Sequence, residues 1–152
     1  MGDINVLSVL MRWLHISGAV VAVGGSVFAL IALLPAMRGL SDEIRSDLHE
    51  AIRKRFAMLF MISVTALLVS GFYNYLLNEI PQHKGDGLDH SLMGAKILLA
   101  FVVFFLGSAL VGRAAAFEGI RRRRKRWMTV NILLALIIIA LAALLRAMPN
   151  TT

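Results

Sequence analysis

Four residues stand out in an otherwise apolar chain because their side chains can do chemistry: Arg12, His15, Lys96 and Arg146. Each sits inside or at the edge of a long apolar run, where a charged or titratable group costs about 2.5 kcal/mol or more and is usually kept by a partner or a task. Arg12 and His15 are three residues apart, one helical turn on nearly the same face. An imidazole can ligate a metal or move a proton, while guanidinium and ammonium groups hold anions. With His90 at the rim of the third apolar run, these groups describe a site for an anionic ligand. Without one they would repel each other.

Hydropathy sets the elements that must position them. The 152 residues are 59% hydrophobic and the mean hydropathy is +0.77, above the roughly 45–50% apolar share of soluble domains. Four apolar segments emerge, at residues 7–37, 56–78, 91–112 and 127–148, each close to or beyond the about 20 residues that cross about 30 Å of hydrocarbon. The expectation is an all-α integral membrane protein with a single domain, residues 1–152, folded as a four-helix bundle of two antiparallel hairpins. The first run is too long for a secretory signal, carries Arg12 in its leading edge and lacks a small-x-small cleavage site, so it is expected to remain as a span. Absence of cysteine excludes disulfides, thiolate metal sites and covalent haem attachment.

Charge placement orients the bundle. The connection "RGLSDEIRSDLHEAIRKR" holds five basic residues and "RAAAFEGIRRRRKR" seven, together 12 of the chain's 16 Lys and Arg. The positive-inside rule puts both in the cytoplasm, with the N-terminus, the "NEIPQHKGDGLDH" loop and the C-terminus outside. The "RRRRKR" run, flanked by spans, reads as a topology anchor with lipid headgroup contact rather than as a nucleic-acid patch. Ser41, Asp42 and Glu43 mark a helix start, and Ile44, Leu48 and Ile52 suggest an amphipathic extension feeding the second span. His49 there is expected to be solvated, and Asn131 is expected to make an interhelical hydrogen bond.

In this topology Arg12, His15, Lys96 and Arg146 fall in one layer near the outer leaflet. Snorkelling of the long basic side chains to the headgroups is the plain explanation of the cations. Below His15 the small residues Gly18, Ala22, Gly25 and Ala29 share a face that normally admits another helix, or would let a flat macrocycle lie against the backbone. A porphyrin with two carboxylates would take His15 as axial metal ligand, Gly18 and Ala22 as its wall, and Arg12, Arg146 or Lys96 as propionate partners. Copper is the competing metal, with Met11, His15, His90, Met93 and Met148 as soft and imidazole donors. A third reading is a membrane interaction or assembly module without cofactor, whose small-residue face pairs with another protein; association into a homo-oligomer is left open. The apolar segments contain no acidic residue, which excludes a carboxylate-pair or hydrolase-triad site within them.

The stretches "RWLHISGAVVAVGGSVF", "TALLVSGFYNYL", "SLMGAKILLAFVVFFLGSALVGR" and "RWMTVNILLALIIIALAALL" resemble the compact membrane family that includes HemJ-type protoporphyrinogen oxidases and CopD-type copper-resistance proteins. The resemblance covers nearly the whole chain. It implies b-type haem (haem b), a functional first-helix histidine and third-helix lysine at His15 and Lys96, a catalytic role for Lys96, and a bacterial inner-membrane home. It also implies electron transfer from a membrane-soluble reductant, a quinol or porphyrinogen. The family's third-helix His-x-Lys has Gly94 in place of histidine here, and its Asn-Glu-x-Pro has Ile132 in place of glutamate after Asn131.

Overall fold

A computed structural model describes residues 5–79 and 87–147, with side chains throughout except at 78–79, 87–93 and 145–147. Among the described residues the secondary structure is helical and contains no strand. Four helices are long and apolar enough to cross a membrane: Val6–Gly39, Asp42–Leu77, Gly94–Val111 and Arg124–Leu144. The apolar segments legible in the sequence thus correspond to these helices, with ends shifted by turns that the connections add.

Helix α1 (Val6–Phe28) starts where the Asn5 side chain accepts the Ser8 N–H at 3.3 Å, satisfying one of the unpaired amides of its first turn. It widens into a π turn at Ala29–Leu33 and resumes as the single turn α2 (Leu34–Ala36). Pro35 explains the widening: it has no N–H to donate and its ring crowds the carbonyl four residues back. A 3-10 turn at Met37–Gly39 and extended Leu40 end this unit.

Helix α3 (Asp42–Asn74) runs for 33 residues, roughly 50 Å at about 1.5 Å per residue, against about 30 Å of hydrocarbon. Its first fourteen residues, Asp42 to Arg55, therefore project beyond the apolar part. Asp42 and Glu43 in the first turn complement the helix dipole. Ile44 and Leu48 are exposed on this projection. A second π turn, Tyr75–Glu79, closes the helix. Helix α4 (Gly87–Val111) follows, then a 3-10 turn at Ala115–Phe117, the short α5 (Glu118–Arg122) and α6 (Arg124–Ala147).

Helix α1 packs most extensively on α3, and α4 on α6; α3–α4 and α1–α6 contacts are slighter. That pattern places α1 and α4 diagonally. Close approach depends on two glycines facing aromatic rings. A Cβ at Gly25 would lie 2.7 Å from Phe56, and one at Gly107 only 2.1 Å from the Phe60 ring. Phe56 and Phe60 of α3, with ring centroids 6.2 Å apart, fill the room left by α1 and α4. Phe60, Val64, Leu67, Ala22 and Val111 form one buried cluster, and Ala29, Leu110 and Met128 a second toward the basic end.

Candidate functional site

His15 lies on the face of α1 that also carries Gly18, Ala22 and Gly25, and that face is turned to α3. Its Nδ1 is 3.0 Å from the Ser70 Oγ. Ser70 is completely buried, and its hydroxyl donates to the Ala66 carbonyl at 2.5 Å. A serine has one proton to give. The Oγ therefore accepts from His15, so Nδ1 carries a proton. This is the arrangement by which outer partners fix the tautomer of metal-ligating histidines.

Gly71 completes the seat. A Cβ there would stand 3.3 Å from His15 Cε1 and 3.7 Å from Nδ1, so the absent side chain gives the ring its room beside α3. Toward the start of α1, the Ser8 and Tyr73 hydroxyls are 3.4 Å apart, tying the same two helices near their ends. Neither Ser70 nor Gly71 is singled out by the sequence-based reading. The signal was the Ser-Gly pair of "LLVSGF", a small polar residue beside glycine in an apolar run, which marks a close helix contact.

The face expected to form a porphyrin wall is already filled. Gly18 is buried, and a Cβ on it would meet Leu67 Cγ and the Ser63 carbonyl, each at 3.2 Å. Ala22 sits in the cluster with Phe60, Val64 and Leu67. Helix packing therefore occupies Gly18 and Ala22, and a macrocycle would have to displace α3 to reach them. Small residues served the plainer of their two purposes.

The other expected site residues lie on three helices, α1, α4 and α6. Arg12 is exposed and makes no ion pair among the described residues. Lys96 is partly buried on α4, diagonal to α1. Arg146 lies in the last turn of α6, its side chain outside the described residues, as are those of His90 and Met93; Met148 also falls outside. Met11 is partly buried on α1. Among the described residues no three His, Cys, Asp or Glu side chains gather to hold a metal ion.

At the opposite end the two basic connections meet. Glu50 of α3 accepts from Arg113, beyond α4, at 2.6 Å and also pairs with Lys54 at 3.4 Å. His49 is not solvated as expected: it is partly buried, and Arg124 of α6 donates to its Nε2. Burial, then the charges of Arg124 and Arg53, hold the His49 pKa below its usual value. Asn131 is buried with its Oδ1 lacking a hydrogen bond among the described residues, in place of the expected interhelical bond, and Arg124 Nε is equally unsatisfied. Both line an internal cavity of about 20 Å³ with Ser26 and Met128.

Comparison of the chain with protein-family models, with curated proteins and with solved structures finds no match.

Proposed function

We propose that this multi-pass membrane protein binds b-type haem near the end of the bundle that holds His15, and passes electrons from a membrane-soluble reductant, a quinol or porphyrinogen, to an acceptor. The observation that carries the proposal is the relay from His15 Nδ1–H to Ser70 and on to the Ala66 carbonyl. An Nδ1–H held by an outer partner is the arrangement in which a histidine ligates through Nε2. A bound haem would supply one-electron chemistry, which the protein tunes through ligand and surroundings.

In this reading His15 is the axial ligand, and Ser70 and Gly71 hold its ring. Arg12 and Arg146 neutralise propionates near the headgroup level, and Lys96 acts from across the bundle as second ligand, propionate partner or substrate contact. Gly18 and Ala22 play no part beyond packing. The two hairpins, α1 with α3 and α4 with α6, run antiparallel, with both termini on the outer side. Convergence of the basic connections at the end away from His15, through Glu50–Arg113 and His49–Arg124, supports that orientation under the positive-inside rule. A bacterial inner membrane fits the resemblance to the HemJ and CopD group.

The test is a visible spectrum of protein expressed with ample haem and purified in mild detergent, oxidised and then dithionite-reduced. A Soret band with sharp reduced bands is expected, lost or strongly weakened in His15→Ala. A flat spectrum, or full haem occupancy in His15→Ala, refutes the proposal, and bound copper in the colourless protein would replace it with the copper reading.

A further inference from the structure

The strongest feature outside the His15 region is a groove of about 730 Å³ at the basic end, between α2 and the start of α6. That volume lies within the roughly 300–1,000 Å³ of sites that take small ligands. Leu34 and Val130 contribute apolar surface to it, and Arg38, Arg123, Lys125 and Arg126 contribute cations. These four cations make no ion pair with a carboxylate among the described residues. Glu50 pairs with Arg53, Lys54 and Arg113, Glu118 with Arg122, and Asp42 with Arg45. With Arg122 and Arg124, six basic side chains line the groove, and like charges so placed are mutually repulsive until an anion enters.

The position along the helices narrows the choice of anion. Leu34 belongs to the first span and Val130 to the fourth, so the apolar surface is continuous with what faces hydrocarbon. The cations stand at the span ends, at headgroup depth. A ligand that fits both parts has a negative head at the interface and an acyl chain running down between the helices.

We infer that this groove is a binding site for an anionic phospholipid, its phosphate held by Arg38, Arg123, Lys125 and Arg126 and its acyl chain lying along Leu34 and Val130. The basic run thereby does more than orient the chain: it holds a defined lipid between two helices that belong to different halves of the bundle. The inference stands apart from haem binding, since no residue of the groove belongs to the His15 region.

The experiment titrates the purified protein, in an uncharged detergent, with phosphatidylglycerol, with phosphatidylcholine and with inorganic phosphate. Native mass spectrometry counts bound lipid, and the shift in thermal midpoint reports occupancy. Phosphatidylglycerol is expected to bind saturably, with phosphatidylcholine and inorganic phosphate far weaker. The triple variant Arg123→Gln, Lys125→Gln, Arg126→Gln is expected to lose more than about tenfold in apparent affinity, whereas Arg45→Gln, Lys54→Gln, Arg55→Gln, which removes equal charge outside the groove, changes it less than about twofold. Equal loss in both triple variants overturns the site in favour of general charge attraction. An equal response to inorganic phosphate overturns the lipid in favour of a soluble anion, and equal binding of phosphatidylcholine overturns the role of charge. Val130→Trp keeps every cation and fills the apolar part, so it tests the same site if the groove triple does not fold. It is expected to weaken phosphatidylglycerol binding by a similar factor, and unchanged binding counts against the inference.

Discussion

Replacing Ser70 by alanine removes the acceptor of the His15 Nδ1–H while leaving the ligand itself in place. In the wild-type chain the proton is fixed on Nδ1 by a 3.0 Å bond to a hydroxyl that is itself committed to the Ala66 carbonyl. In Ser70→Ala the ring can carry its proton on either nitrogen and can turn, and ligation must then fix both. A buried donor without an acceptor costs about 1–3 kcal/mol. Loss of a comparable outer partner at metal sites lowers affinity about 10–100-fold, which is about 1.4–2.7 kcal/mol. The two estimates agree, so we expect haem affinity to fall within that range. Titration of the haem-free protein, followed at the Soret band, measures it, and the midpoint potential of the bound haem should shift with the altered ligand basicity. Gly71→Ala should act in the same direction by pressing on Cε1, where its Cβ would stand at 3.3 Å. Haem affinity within about twofold of wild type, with an unchanged potential, in Ser70→Ala would refute the tautomer reasoning.

Gly107→Ala should destabilise the bundle by about 1–3 kcal/mol, because its Cβ would fall 2.1 Å from the Phe60 ring and Phe60 is 3% exposed, with nowhere to turn; Gly24→Ala, with nothing within 4 Å, is the control, and equal thermal midpoints for the two would show that the contact yields freely. Burial and its arginine neighbours lower the folded-state pKa of His49, so the folded protein binds fewer protons than the unfolded chain, and stability is fully present above the ordinary value of 6.5. It should decline as pH falls from there toward the lowered folded value, and His49→Gln, which accepts from Arg124 without titrating, should flatten the profile of thermal midpoint against pH; the same slope in both proteins would contradict this. Arg124 and Asn131, whose Nε and Oδ1 are a buried donor and acceptor without a hydrogen bond among the described residues, both line a cavity of about 20 Å³, room for one water. An experimental structure that orders internal waters should show one accepting from the first and donating to the second, and a dry cavity would count against it.

The hydropathy runs alone determined that the chain forms four long apolar helices, because no other regular structure of that length satisfies its own backbone in lipid. The break before the first basic connection was equally local, following from Pro35, and so was the start of α3 at Ser41, Asp42 and Glu43. What the sequence left undecided was which side of each apolar helix meets a neighbour. In water a helix advertises its buried face by contrast with a polar one, but in lipid both faces are apolar and the pattern carries little of that information. Gly18 and Ala22 therefore read as a helix contact with a cofactor wall as the alternative, and only the packing of Leu67 and Ser63 against Gly18, and of Ala22 in its buried cluster, decided. One partner of His15 lies 55 residues away at Ser70, and His49 meets Arg124 across 75 residues. Both pairings join helices whose own residues are satisfied by many arrangements, so the tertiary structure selects the partner and, through Ser70, the nitrogen that carries the proton.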